Sequence, residues 1–413
     1  MTSAADAPAQ RPMPLAGIKV LELAHIVAGP SAGQMFADLG ADVTKIEAID
    51  GGDQSRGMPG ANSAMFHFFN RNKRSVALDL KGEGRDVFLR LAATADVIVD
   101  NFGYGVIDRL GLGYDSLAAG NPGLIWLAIK GFLPGPAESR PLLDELAQMM
   151  GGLAYMTGPR NQPLRAGASI IDVGAATYGV LAVLAALRQR DADGKGQMIT
   201  AGLFETSVYW VGQWIAIAQA SGGGVMEPLP EMRQGQRMGW GVYQLFDTAD
   251  RDQIFIGITS NRHWDLFCRE FALSGMHADP RFKDNIARVD NRVILAQSIQ
   301  EVIATLSSQD VQDRLEKAGI PFAPLRRPDQ LVDEPQLRES GQLLDMPMPD
   351  GSIARHPKLP FNAGDIPMSL RFAAPRLGEH TAEVMRAVGY SDAEIDHLAA
   401  AGAVGLPQRA ENV

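Results

Sequence analysis

The stretch Gly17–Glu47, GIKVLELAHIVAGPSAGQMFADLGADVTKIE, decides the fold. Gly17 to Leu23 is short and apolar, a strand candidate. The loop His25-Ile-Val-Ala-Gly-Pro-Ser-Ala-Gly follows, and Gln34 to Leu39 has helical character. Ala41-Asp-Val-Thr-Lys-Ile-Glu47 is a second strand. Strand, loop, helix and strand in this order make a βαβ unit, which builds parallel sheets, so the expected class is α/β. Such sheets bind ligands in the loop after the first strand. That loop lacks GxGxxG, so a nicotinamide site is not supported.

Outward from this unit the pattern repeats. Glu83 to Ala93 reads as a helix; Ala95–Asp100 and Leu124–Ile129 read as strands. Leu203 to Ala220 reads as one long apolar helix, with Trp210 and Trp214 on one face at a core or subunit interface. Gly222-Gly-Gly224, Pro228 and Pro230 break the chain. Beyond them Tyr243–Phe246 and Gln253–Ile258 alternate like hairpin strands, and helices follow, as in a small α+β domain. We expect residues 1–14 to be a disordered tail and 15–221 to form the first part of a large domain. Residues 222–320 would form the small domain, and 321–413 would return to the large one.

With 413 residues the chain is long enough for two domains. Its net charge of −10 argues against a nucleic-acid or anionic-membrane binder. The single cysteine, Cys268, allows no intrachain disulfide and suits a reducing cytoplasm. No apolar run is expected to span a membrane, and scattered Cys and His show no metal-ligand spacing.

Chemistry concentrates in Thr157–Gly179, TGPRNQPLRAGASIIDVGAATYG. Gly158, Pro159 and Asn161 mark a turn, Gly167-Ala-Ser-Ile-Ile passes as a buried strand, and Tyr178 to Arg190 reads as a helix. Asp172 lies between strand and helix, where the helix dipole favours the ionised form. Two readings fit: an N-cap, or a nucleophilic carboxylate whose small neighbours let a bulky substrate approach.

The segment resembles the active-site region of the family III CoA-transferases, the CaiB/BaiF group. This group holds formyl-CoA, carnitine-CoA and succinyl-CoA:glutarate transferases. Thr157, Gly158, Pro163, Arg165, Gly167 and Asp172 carry the likeness. So do Ala28-Gly29-Pro30, Leu39–Glu47, the block Asn70–Lys81 and Asn101-Phe102. The resemblance implies a Rossmann-like large domain, a smaller domain and an interlocked homodimer. It implies CoA transfer from an acyl-CoA to a carboxylic acid with Asp172 as nucleophile. The CoA thioester is then a substrate, and no cofactor is needed. It implies CoA contacts from Val27, Ala28, Leu78, Lys81, Asn101, Phe102, Arg109 and Lys130. From residue type alone, Arg109 reads most often as a surface residue on a helix. The formyl-CoA branch has an arginine just after the second strand; here the residue is Ala48, so that charge comes from elsewhere or the nucleotide is held differently. The racemase branch carries His-Asp where this chain has Leu143-Asp144, and inversion at carbon needs both an acid and a base. In the Gly-rich stretch Arg233–Gly241, Arg233 or Arg237 could pair with a second anionic group on the acceptor, a dicarboxylate or sulfinate, or be solvated.

Overall fold

A computed structural model describes residues 12–235, 239–362, 364, 366 and 368–407. Residues 1–11, most of the expected tail, and Arg237 lie outside these, as does the side chain of Arg233.

The chain divides into two compact units. The first includes Leu164–Val225 and the chain from Glu339 onward, besides the N-terminal part up to Tyr155. The second is Met156–Pro163 with Met226–Arg338.

In the first unit the strands are β1 (Lys19–Leu23), β2 (Asp42–Glu47), β3 (Lys73–Leu78), β4 (Val97–Asp100), β5 (Ile125–Lys130) and β6 (Met198–Gly202). They lie in the order β3-β2-β1-β4-β5-β6, all parallel; the two-residue strand Val404–Gly405 pairs antiparallel beside β3. This is the α/β parallel sheet that the βαβ reading anticipated. The order reverses between β1 and β4, and doubly wound sheets open a ligand crevice at such a reversal. Both faces are covered, so β4 and β5 are near-continuous apolar runs and not alternating, whereas β1, β2 and β3 bury the charged residues Glu22, Lys45 and Lys73. On one face α1 (Ala28–Asp38) and α4 (Ile170–Asp193) pack on Val20, Val97, Val99, Ile125 and Leu127. On the other, α2 (Gly84–Ala92) and the C-terminal helices Thr381–Ala387 and Asp392–Ala400 pack on Leu21, Ile46, Val76, Ile98 and Trp126.

Several local expectations need correction. The first helix begins at Ala28, six residues before Gln34, so the Ala-Gly-Pro loop is its first turn. Pro30 suits that place because an N–H in the first turn has no intrahelical partner to lose. Gly167–Ile171 is not a strand: α4 starts at Ile170, and Ala and Leu carry it for 24 residues. This helix is long and apolar enough to cross a membrane, contrary to expectation, although half of its most apolar window is buried inside the protein. The helix expected over Leu203–Ala220 breaks at Val211 into α5 (Leu203–Trp210) and α6 (Gly212–Ala220). Trp210 turns onto α4, where its indole N–H donates to the Tyr178 hydroxyl at 3.1 Å.

In the second unit β7 (Val242–Asp247) and β8 (Gln253–Ile258) form the expected hairpin. A third strand, β9 (Phe322–Pro324), pairs with β8. That pairing carries the unit past residue 320, to Arg338. Its core gathers Trp264, Phe267, Leu295, Ile299 and Leu315.

Candidate active site

The loop between β1 and α1 is held from below by charge. The Lys45 ammonium lies 2.7 Å from Glu22 Oε1 and 2.8 Å from Asp53 Oδ2, and donates to the Ala24 carbonyl at 2.7 Å. Lys73 meets Glu22 Oε2 at 2.6 Å and donates to the Pro30 carbonyl at 2.9 Å. Asp53 Oδ1 accepts from the Ile26 N–H at 3.1 Å. All four side chains are buried. Burial opposes the charge of Asp53, yet Lys45 and Ser55 override it and hold the carboxyl far below the ordinary range. Lys45 moves the opposite way, up, because burial is outweighed by Glu22 and Asp53. Lys73 is the softest charge: burial pulls it down to about 8 despite Glu22. Gly33 makes room, since a Cβ there would lie 1.8 Å from Glu22 Oε2.

This scaffold fixes an unusual backbone. Ile26 has φ +66°, in the left-handed region that a β-branched residue avoids. Strain of this kind persists where surroundings impose it and clusters at functional sites. Asn101, at the end of β4, clamps the neighbouring residue: its Oδ1 accepts from the His25 N–H at 3.0 Å and its Nδ2 donates to the His25 carbonyl at 2.9 Å.

Over this loop opens a cavity of about 540 Å³, within the size range of small-molecule sites. Val27, Ala28, Asn101, Phe102, Lys130 and Asp172 all line it. The structure therefore brings six of the expected residues together at the crevice of the sheet. Asn101 spends its amide on His25, and Lys130 is tied to Asp100 and to the Phe102 carbonyl. Phe102 presents its ring 5.4 Å from that of His25. Leu78, Lys81 and Arg109 do not line this cavity. Leu78 is buried in the core beside Val76 and Val404, while Lys81 and Arg109 are exposed. The nearest arginine after Ala48 in the chain, Arg56, is committed to Glu47 at 2.7 Å and stacks on Phe66.

Asp172 is the third residue of α4, but it does not cap that helix. Asp144, in the first turn of α3 (Asp144–Met150), does so from outside. Its Oδ2 accepts from the N–H groups of Ile171 and Asp172 at 2.7 and 3.0 Å. Gln148 donates to Asp144 Oδ1 at 2.5 Å and accepts from the Ala166 N–H at 2.8 Å, tying down the segment that leads into α4. Among the described residues the Asp172 carboxyl has no hydrogen-bond partner. Burial, then Asp144, then Glu145 push it up to about 7, against the expectation that the helix end would keep it ionised. An unpartnered, strongly shifted carboxyl on a cavity wall marks a reactive group more often than a structural one.

Known proteins fit this geometry. A family model described as CoA-transferase family III matches residues 15–381. The chain belongs to CoA-transferase family III. Among its family III relatives, a succinate–glutarate CoA-transferase from Agrobacterium fabrum is 32% identical, covering 92% of this chain and 96% of its own length. A formyl-CoA:oxalate CoA-transferase from Rhodopseudomonas palustris is 30% identical, covering 96% and 98%. A solved CaiB/BaiF family protein from Brucella suis superposes with a TM-score of 0.81 at 32% identity, over 92% of this chain and all of that one.

Local sequence hid three features of this family III site. Asp144 looks like an ordinary first-turn acid, and only the fold sets it against α4. His25 and Arg140 also line the cavity, and no periodicity or spacing singles them out. Arg165, a motif residue, pairs instead with Glu145 at 3.1 Å.

Proposed function

We propose that the protein moves CoA from an acyl-CoA donor, succinyl-CoA foremost, to a carboxylic acid, with Asp172 as the covalent carrier. The observation that carries this reading is the unpartnered Asp172 carboxyl facing the crevice of the sheet. Its ionised oxygen attacks the thioester carbonyl, the C–S bond breaks and CoA thiolate leaves, giving a mixed anhydride. The thiolate then attacks the Asp172 acyl carbon and the donor acid departs, leaving an aspartyl-CoA thioester. The acceptor carboxylate attacks that carbon and expels CoA thiolate. The thiolate finally takes the acceptor acyl group and frees Asp172. No net proton or electron is exchanged.

The first turn of α1 supports the charge that develops. No side chain caps it, and Val27 and Ala28 line the cavity. N–H groups at a helix start have no intrahelical partner and suit an oxyanion. Among the acceptors we favour a dicarboxylic acid. A homodimer belongs to the same proposal: Tyr178, Leu181, Tyr209 and Ile217 expose apolar surface on α4, α5 and α6.

The test is intact-mass analysis with succinyl-CoA and no acceptor, followed by exchange with a panel of acids. Wild type should gain a CoA adduct at Asp172 and convert the panel. Asp172→Ala should lose the adduct and at least about a thousandfold in rate. Undiminished exchange by Asp172→Ala would end the proposal.

A further inference from the structure

The charge around Asp172 is unbalanced. Glu138, Asp144, Glu145 and Asp172 line the cavity, and three side chains there could answer them: His25, Lys130 and Arg140. Burial pulls His25 down, with Asp53 opposing and Lys45 adding to it, so its ring is a poor cation. Lys130 is held by Asp100 and the Phe102 carbonyl. Withdrawing it would strand a buried carboxyl, because Asp100 is 1% exposed. Arg140 differs. It stands exposed at the end of the loop before α3, and among the described residues its guanidinium has no hydrogen-bond or ion-pair partner.

A substrate carboxylate entering this cavity meets repulsion. At its reacting end the cost is met by chemistry, since that group becomes an acyl group. A second carboxylate on the same molecule has no such relief and needs a cation. A guanidinium serves a carboxylate with two parallel N–H donors, and among the described residues elimination leaves Arg140 as the cation in this cavity that has no partner.

We propose that Arg140 forms the subsite for the distal carboxylate of a dicarboxylic acid whose near carboxylate reacts at Asp172. The inference rests on the transferase reading above and names the residue that selects the acceptor. Arg233 and Arg237 are not needed for it. A dicarboxylate is then preferred over a monocarboxylate of equal chain length, and the preference resides in Arg140.

In a double-displacement reaction, kcat/KM for the acceptor reports only its reaction with the CoA-loaded enzyme, so the donor drops out. Glutarate and pentanoate are compared as acceptors for wild type, Arg140→Gln and Arg140→Lys. Arg140→Gln should lower kcat/KM for glutarate by about ten- to a hundredfold, the loss of a charge-assisted contact, and for pentanoate far less. Arg140→Lys should recover part of the glutarate rate. Equal losses for both acids would overturn the proposal and assign Arg140 to the nucleotide or to the loop. So would an unchanged ratio, or a wild type that prefers pentanoate; in those cases the transferase reading stands. Absence of the CoA adduct in wild type sinks that reading instead, and this one with it.

Discussion

Beneath the loop after β1, each buried carboxylate meets an ammonium group; at the head of α4, each meets another carboxylate. The two regions lie in one domain; Glu22 and Asp53 are buried in the first, and Asp144 is buried in the second, where Glu145 is half exposed. Glu22 and Asp53 share Lys45, Glu22 also meets Lys73, and Asp53 stays ionised well below the ordinary range. Asp144, Glu145 and Asp172 share a cavity wall, and Asp172 rises to about 7. Burial pushes both Asp53 and Asp172 up, so it is the neighbouring charge that sets the outcome. Paired charges make a rigid bed for a strained loop. Unpaired ones leave a carboxyl ready to react, at a cost in stability.

The largest expected effect breaks the paired side. Lys45→Met leaves Glu22 and Asp53 short of their shared cation and should cost about 3–5 kcal/mol in denaturant unfolding. A loss under about 1 kcal/mol would mean that the network does not hold the loop. The unpaired side should respond with the opposite sign. For an acid raised on folding, stability is fully present below the unfolded pKa and is lost as pH rises through the folded one. Asp172 therefore costs wild type stability between about pH 4 and pH 7. Asp172→Asn should match wild type near pH 4 and exceed it at pH 8, by on the order of 1–3 kcal/mol. The difference between the two proteins cancels other titrations, so a gap that does not open with pH would refute the assignment.

The contrast between the regions also explains what could be read in advance. The parallel sheet was legible because apolar runs such as Val97–Asp100 and Ile125–Lys130 recur between helical segments. Asp172 was legible only through the motif around it, since its surroundings come from α3, more than twenty residues upstream. The ion network was not legible: Glu22 and Lys45 lie in separate strands and stand side by side only once β1 and β2 are in register. The start of α1 was missed because Ala-Gly-Pro signals a turn locally, whereas here it is the first turn of a helix. Leu78 lies in the core and not on the cavity for a related reason, because its place in a motif says nothing about which way β3 turns it.

Two smaller effects separate the neighbours of Asp172. The ionised form attacks, so kcat/KM for the donor should rise with pH through about 7. Asp144→Asn keeps an oxygen for the N–H groups of Ile171 and Asp172 but removes the charge, and should move that limb toward acid by about one unit. Glu145→Gln should move it the same way but less. Glu145 is half exposed and its charge is answered by Arg165 at 3.1 Å, whereas Asp144 is buried against the start of α4. Water and a counter-ion both weaken what Glu145 can impose, so a shift of a few tenths of a unit is expected. If the two variants moved the limb equally, distance and burial would not be ranking the carboxylates. The raised pKa would then reflect desolvation of Asp172 alone, and the likeness among its acidic neighbours would be incidental.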